Sequence, residues 1–372
     1  MKLAWRNIVN DRVRFFVAVI GIGFAVFLMI FQGSLLFGFL HAASNLIDSS
    51  DAEIWVMARG VACFEFAGPI PRRYMEIVRG IPGVHTTGRA CLAFAQYSQQ
   101  DGKHRTVALV GADSTMGKHF PLPYVDVRSS ALYPNGLLVD ESNVKQLQAS
   151  PIPFDVEINK RRGKIIAQIH GFSSFLGCPY VFAAYRDAIK YIDLPPEQSM
   201  FLVVQINPNY SADAIKRQIR FRLPDVDVWT REEFSKRARK YWIAQTGAGG
   251  AILTAAILGF LIGMMVISQT VYATTMDNIE EFATLKAIGA TRSFIVRVVV
   301  VQALLCGLAG FLLGAAVSVP LVSLAKAAIA WVYTPVWLPA IILIPTLVMC
   351  GLASIMSIRV AVAVEPARVF RA

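Results

Sequence analysis

Four long apolar runs constrain this chain more than any other feature. The first extends from Phe15 to about Leu40 without a charged residue. The others run from about Ala248 to Ala273, Val298 to Ala325 and Leu338 to Ile358. An α-helix rises ~1.5 Å per residue, so about 20 apolar residues reach across the ~30 Å hydrocarbon core of a bilayer. A helix also satisfies its own N–H and C=O groups where no water is present, so each run is expected to be a transmembrane helix. Apolar residues make up 55% of the chain and the mean hydropathy is +0.51. An ordinary soluble enzyme is thereby excluded. Arg12 and Arg14 before the first run resemble the start of a signal peptide. The run is longer than the roughly 7–15 apolar residues of a signal core, so it is read as an uncleaved anchor.

Positive charge sets the expected orientation. Lys2, Arg6, Arg12 and Arg14 precede the first span, Lys286, Arg292 and Arg297 separate the second from the third, and Arg359, Arg368 and Arg371 follow the fourth. The connection from Trp331 to Trp337 is uncharged and carries interface-type aromatics. Both termini and residues 279–292 are therefore expected in the cytoplasm, with residues 42–246 outside. Lys236, Arg237, Arg239 and Lys240 oppose this, but they belong to a long translocated region, which the rule discounts. The net charge of +11 is assigned to the membrane flanks, and no nucleic-acid partner is expected.

The outer region reads as mixed α/β. Glu53–Met57 is predicted as a strand, Tyr74–Arg79 as a helix stopping at Gly80, and Ile81-Pro82-Gly83-Val84 as a turn into a strand through Tyr97. The pattern returns as a strand at Phe201–Ile206, a helix at Ala212–Arg222, and a turn and strand from Leu223 to Trp229. Two related βαβ-like halves are therefore expected, with a mainly β insertion over about 100–195. The basic stretch from Arg231 is predicted as a lever helix over 231–246 continuing into the second span. The fold class that follows is an α-helical membrane protein with four transmembrane helices and a large α/β extracytoplasmic domain between helices one and two. Its divisions are 1–41, 42–246 and 247–372.

Catalytic patterns are missing. Gly111 to His119 approaches a phosphate-binding P-loop, but its glycines are one residue too far apart and His119 replaces the Ser or Thr that would bind magnesium. His41, His85, His104, His119 and His170 lack metal-ligand spacing, and no Cys-x-x-Cys occurs. Neither an enzyme activity, a metal nor a bound cofactor is expected. Met29, His41 and Met57 offer at most a weak haem-ligand pattern, since methionine is an ordinary apolar filler. Cys306 and Cys350 lie in spans. Two of Cys63, Cys91 and Cys178 are able to pair in an oxidising compartment, although free buried thiols are the simpler expectation. The intramembrane polar candidates are Gln32, Gln269 and Gln302, read as interhelical hydrogen-bonding groups ahead of a substrate path.

What remains is the polar island between spans two and three. Ile279, Phe282, Leu285 and Ile288 recur every third residue and are read as one apolar stripe, with Glu280, Glu281 and Lys286 off it and Gly289 placed to stop the helix. A short helix there either rests on lipid or docks into a soluble partner.

The run from Glu281 to Thr291 resembles the coupling segment of FtsX/MacB-type ABC transporter permeases, whose usual form is R-x-x-E-I-(A/G)-x-L-(K/R)-A-(L/I)-G-A. The resemblance extends to an amphipathic start at Leu3–Ile8, one span, a large outer domain, three spans and the closing Val364–Arg371. Ser50–Val56 is similar to the DevC-like branch. Asp277 or Asn278 stands where the family often has Arg, and Phe282 replaces Ile. The resemblance implies a non-catalytic half-transporter in the bacterial inner membrane. Two copies would form a homodimer in the lipid bilayer and recruit cytoplasmic ABC ATPase subunits that bind the ATP. It also admits a periplasmic adaptor or membrane-fusion protein. Helix 279–290 would plug into the ATPase through Phe282, Leu285 and Ile288, with Glu280, Glu281 and Lys286 setting register. The lever carrying Lys236, Arg237, Arg239 and Lys240 would pass the motion outward to export or extract an amphipathic or hydrophobic substrate. An FtsX-like regulator of a cell-wall hydrolase is the alternative, disfavoured by the length and apparent internal repeat of the outer domain.

Overall fold

The computed structural model describes residues 12–99, 101–113, 135–277 and 279–363. The N-terminal residues 3–8, most of the near P-loop and the closing residues 364–371 lie outside the described residues. The chain begins with α1 (Arg12–Ala42), α2 (Asn45–Asp48), β1 (Ile54–Ala58), β2 (Ile70–Pro71), α3 (Tyr74–Arg79) and β3 (Val84–Ser98). Next come β4 (His104–Ala112), β5 (Gly136–Asp140), α4 (Val144–Leu147), β6 (Phe154–Ile158), β7 (Arg161–Ile169), β8 (Tyr180–Ala184) and α5 (Tyr185–Tyr191). They are followed by β9 (Gln198–Ser199), β10 (Phe201–Ile206), α6 (Ala212–Arg222), β11 (Val226–Thr230) and α7 (Arg231–Ala244). The last elements are α8 (Ala248–Asp277), α9 (Ile279–Ala287), α10 (Arg292–Ala328) and α11 (Leu338–Ala363). Two compact units result, Phe39–Ala248 and the remainder.

In the first unit, β1, β3, β10 and β11 lie side by side in the order β11-β1-β10-β3, every neighbour antiparallel. With α3 after β1 and α6 after β10, this is the interleaved βαβ–βαβ arrangement of a ferredoxin-like sheet. Side chains alternate across it, as a period of two requires. Ile54, Val56, Leu202, Val204, Val226 and Val228 face α3 and α6, packing on Met75, Val78, Ile215 and Ile219. The opposite face carries Trp55 and Phe201, covered by Phe64 and by Phe234 of α7. Ring centroids there lie 4.9–6.0 Å apart.

The insertion between β3 and β10 closes on itself. β3 pairs with β4, β4 with β8, β8 with β5, β5 with β7, β7 with β6, and β6 returns to β3 at Tyr97 and Ser98. Closure leaves this ring of strands without an open edge. Leu109, Leu137, Val139, Ile165 and Val181 fill it together with Tyr185 and Tyr191 of α5. Gly111 of β4 is required there: a Cβ would stand 2.3 Å from that of Ala188 and 2.7 Å from Cys91 Sγ.

In the second unit, α1, α8, α10 and α11 are each long and apolar enough to cross a membrane. Small residues let them approach. A Cβ at Gly310 would strike Ile22, one at Gly314 would strike the Gly23 carbonyl and Val26, and one at Gly307 would strike Cys350 Sγ. Close approach of this kind drives helix association where lipid removes the hydrophobic effect. Thr334 Oγ1 donates to Ser34 Oγ at 2.8 Å, tying the α10–α11 connection to α1.

The lever differs from expectation. It does not continue into the second span but ends at Ala244, capped by Gln245. Gly247 then takes φ +74°, a left-handed backbone that breaks the helix before α8 begins.

Gly111→Val is expected to overpack the ring and lower stability by about 1–3 kcal/mol. A thermal melt of the purified chain reads this, and an unchanged midpoint would refute the packing account.

Candidate functional site

The polar island folds as a short helix that ends in a reversal on its C-terminal side. α9 runs from Ile279 to Ala287, Ile288 N–H donates to the Thr284 carbonyl, and Gly289 adopts φ +96°. Thr291 then caps α10 by accepting from Phe294 N–H at 3.3 Å. Glycine is needed at 289 because a left-handed residue ends the helix without a Cβ clash.

The helix does not present its four apolar residues as one stripe. A three-residue spacing advances 300° on a 3.6-residue helix, so Ile279 and Ile288 end about 180° apart. The structure follows this geometry. Ala283 is fully buried, and Ile279 and Lys286, on its face, are half-buried. Glu280, Thr284 and Ile288 form the outward face, with Ile288 79% exposed and one residue past the helix end. Glu281, Phe282 and Leu285 lie on the same helix.

The intramembrane glutamines are not equivalent. Gln302 is buried in α10, Gln32 is half-buried with its Cγ near Gly259 of α8, and Gln269 is exposed. No group of three potential metal ligands occurs among the described residues, and Met57 of the weak haem pattern is enclosed in β1. All five cysteines are free, and burial pushes the Cys91 thiol up to about 12.

The basic lever residues are engaged with their own domain. Arg239 Nε donates to Ser44 Oγ at 2.8 Å and its Nη2 to Asp48 Oδ2 at 2.7 Å. Ser44 Oγ in turn donates to Asp48 at 2.7 Å. Arg237 Nε donates to the Val61 carbonyl at 3.2 Å, and its guanidinium, with Lys216 and Arg220, surrounds the Trp229 ring. Lys236 pairs with Glu232 at 2.6 Å, and Lys240 is exposed. Arg231 Nη1 donates to the Ser50 carbonyl at 2.7 Å. The start of α7 is held by a capping box between Thr230 and Glu233. Arg239 thus joins the chain leaving α1 to the helix leading to α8.

A second tie escaped the sequence reading. The Glu65 carboxyl is fully buried, accepting from Trp242 Nε1 at 3.3 Å and from Tyr180 Oη at 3.4 Å. It fastens the last turn of α7 to β8. Burial raises its pKa, and the hydrogen bonds only partly offset this. The one legible signal was a lone acid between Phe64 and Phe66.

Comparisons with known proteins bear on this arrangement. Residues 253–366 match the family described as FtsX-like permease C-terminal. An uncharacterized ABC transporter permease of Mycobacterium tuberculosis (strain ATCC 25618 / H37Rv) is 24% identical over 375 residues, covering 99% of this chain and 98% of its own. A counterpart from Mycobacterium bovis matches equally. Among solved structures, the periplasmic region of MacB from Actinobacillus actinomycetemcomitans aligns with 51% of this chain and 94% of its own, at 12% identity and a TM-score of 0.37. The extracellular domain of the ABC-type transporter YknZ from Gram-positive bacteria aligns with 48% and 98%, at 11% identity and a TM-score of 0.33.

Because Glu65 binds its proton more tightly folded than unfolded, its contribution is full below the ordinary value of 4.5 and is lost as pH rises through the raised folded value. The melting temperature of the native chain relative to Glu65→Gln should therefore fall with rising pH. Parallel pH profiles of the two proteins would contradict the buried-carboxyl account.

Proposed function

We propose that this chain, an FtsX/MacB-type ABC transporter permease, converts the movement of a separate ATPase into movement of its outer domain. The observation that carries the reading is the placement of α9. It is a short helix between two spanning helices, followed by a left-handed glycine and by the N-cap of α10, with Glu280, Thr284 and Ile288 exposed on its outward face. In this scheme α9 docks in a cleft of a cytoplasmic ATP-binding subunit. Phe282, Leu285 and Ile288 supply packing, and Glu280, Glu281 and Lys286 set the polar register. Both termini lie in the cytoplasm of a bacterial cell, and the sheet domain lies outside the inner membrane.

Two copies assemble. α8 is the least covered of the four spanning helices, leaving Leu253, Ile257, Leu261 and Met265 exposed for lipid or a second copy. ATP-driven closure displaces α9 and, through α8 and α10, the membrane unit. The outer domain is joined to that unit by two covalent connections, one after α1 and one before α8. Arg239 ties the two together, so they move as one rather than slip past each other. The substrate in this reading is an amphipathic or hydrophobic molecule taken at the outer face of the membrane, with or without an adaptor protein.

Two tests separate the input from the output. Phe282→Asp or Leu285→Asp is expected to abolish co-purification of the ATPase while membrane insertion persists. Undiminished recovery of the ATPase by both variants would remove α9 from the coupling role. Arg239→Ala is expected to leave ATPase binding and hydrolysis in place but to reduce export several-fold. Its stability cost should be small, about 1 kcal/mol or less, since the pair with Asp48 is partly exposed. Unchanged export would show that the tie plays no part in transmission.

A further inference from the structure

The sheet domain carries a contiguous group of aromatic rings where the chain enters and leaves it. Phe39 and Phe175 have ring centroids 5.2 Å apart, Phe175 and Trp242 4.8 Å, and Trp242 and Phe66 6.0 Å. Tyr241 lies 5.9 Å from Phe66 and 5.6 Å from Trp242. Phe66 remains 51% exposed although stacked on Trp242. Phe175 sits on the loop between β7 and β8, and Phe66 on the loop after β1, so separate segments bring their rings to one place.

Continuity with the spans decides what covers this group. The candidate span in α1 runs from Phe15 to Ala42, 28 residues. At ~1.5 Å per residue it is about 42 Å long, matching a bilayer with its interfacial layers at ~40–45 Å. Phe39 belongs to that span, so its ring lies at the outer interfacial layer, and Phe175 touches it there. Trp242 closes the other route, since the span of α8 begins at Gly249. Amphipathic rings such as Trp and Tyr favour this layer, and a neighbouring lysine can reach lipid phosphates. Lys240, beside Tyr241, is exposed.

We infer that the base of the sheet domain is itself a lipid-contacting surface. Phe66, Phe175 and Tyr241 lie in the interfacial layer of the bilayer, and Lys240 lies among its headgroups. The end of α7 is then seated on lipid, and any motion of this helix moves aromatic surface against the membrane. The inference stands whether or not the chain exports a substrate.

The test uses the full chain in phosphatidylethanolamine–phosphatidylglycerol vesicles, with the half-exposed Cys178 replaced by Ser. A nitroxide at Phe66→Cys is compared with one at Phe221→Cys, a position 89% exposed on α6. Relaxation by oxygen relative to a water-soluble nickel chelate should be several-fold greater at 66 than at 221. As a second measurement, the emission added by Phe66→Trp should be quenched in vesicles of brominated lipid, whereas that added by Phe221→Trp should persist. Two results overturn the inference: a label at 66 that reads like the one at 221, or emission from Phe66→Trp that survives brominated lipid. Either would leave this face to water or to a protein partner.

Discussion

The docking of α7 on the sheet through Phe234 underlies the rest of the outer domain. The ring meets Trp55 and Phe201 at 5.6 and 6.0 Å on the face opposite α3 and α6. Burying several aromatic side chains against one another is worth several kcal/mol in area, with about 0.5–1.5 kcal/mol more per favourable pair. That packing orients α7, so that Arg239 reaches Ser44 and Asp48, Arg237 reaches Val61, and Trp242 hangs from Glu65. Without the aromatic contact, these polar ties would have to order the helix alone. Partly exposed ion pairs contribute too little for that.

The membrane unit is held by a different force. Glycines at 307, 310 and 314 bring α10 against α1 and α11 at distances a methyl group would prevent. In lipid the gain comes from van der Waals contact and from hydrogen bonds such as Thr334 to Ser34. Two short segments interrupt the helices: the left-handed turn at Gly289 that follows α9, and the break at Gln245–Gly247 that follows α7.

Much of this was legible in the chain itself. All four spans, the helices Tyr74–Arg79 and Ala212–Arg222 and the strand Phe201–Ile206 fell where periodicity and turn residues placed them. The island's helix and its glycine stop were equally plain. Its polarity was not, because three-residue spacing resembles a stripe on paper but rotates around a real helix, leaving Ile279 and Ile288 on opposite sides. The continuous lever was also misjudged: Thr246, Gly247, Gly249 and Gly250 are weak helix formers, and the backbone turns left-handed at Gly247. Glu65 left almost no mark, because one acid in an apolar stretch does not say which distant groups will meet it.

Local composition by itself determined the membrane class, the number of spans and the alternation of helix and strand in the outer region. Those properties follow from apolar length and hydrophobic period, which a segment carries wherever it is placed. Only the tertiary structure decided that the insertion closes into a ring and that Arg239 joins the two chain connections. It alone decided that Ala283 faces inward while Ile288 faces out, and that aromatic rings from separate segments gather where the chain enters and leaves the sheet domain. Each of these depends on pairing between residues far apart in sequence, and short-range pattern carries no information about that pairing.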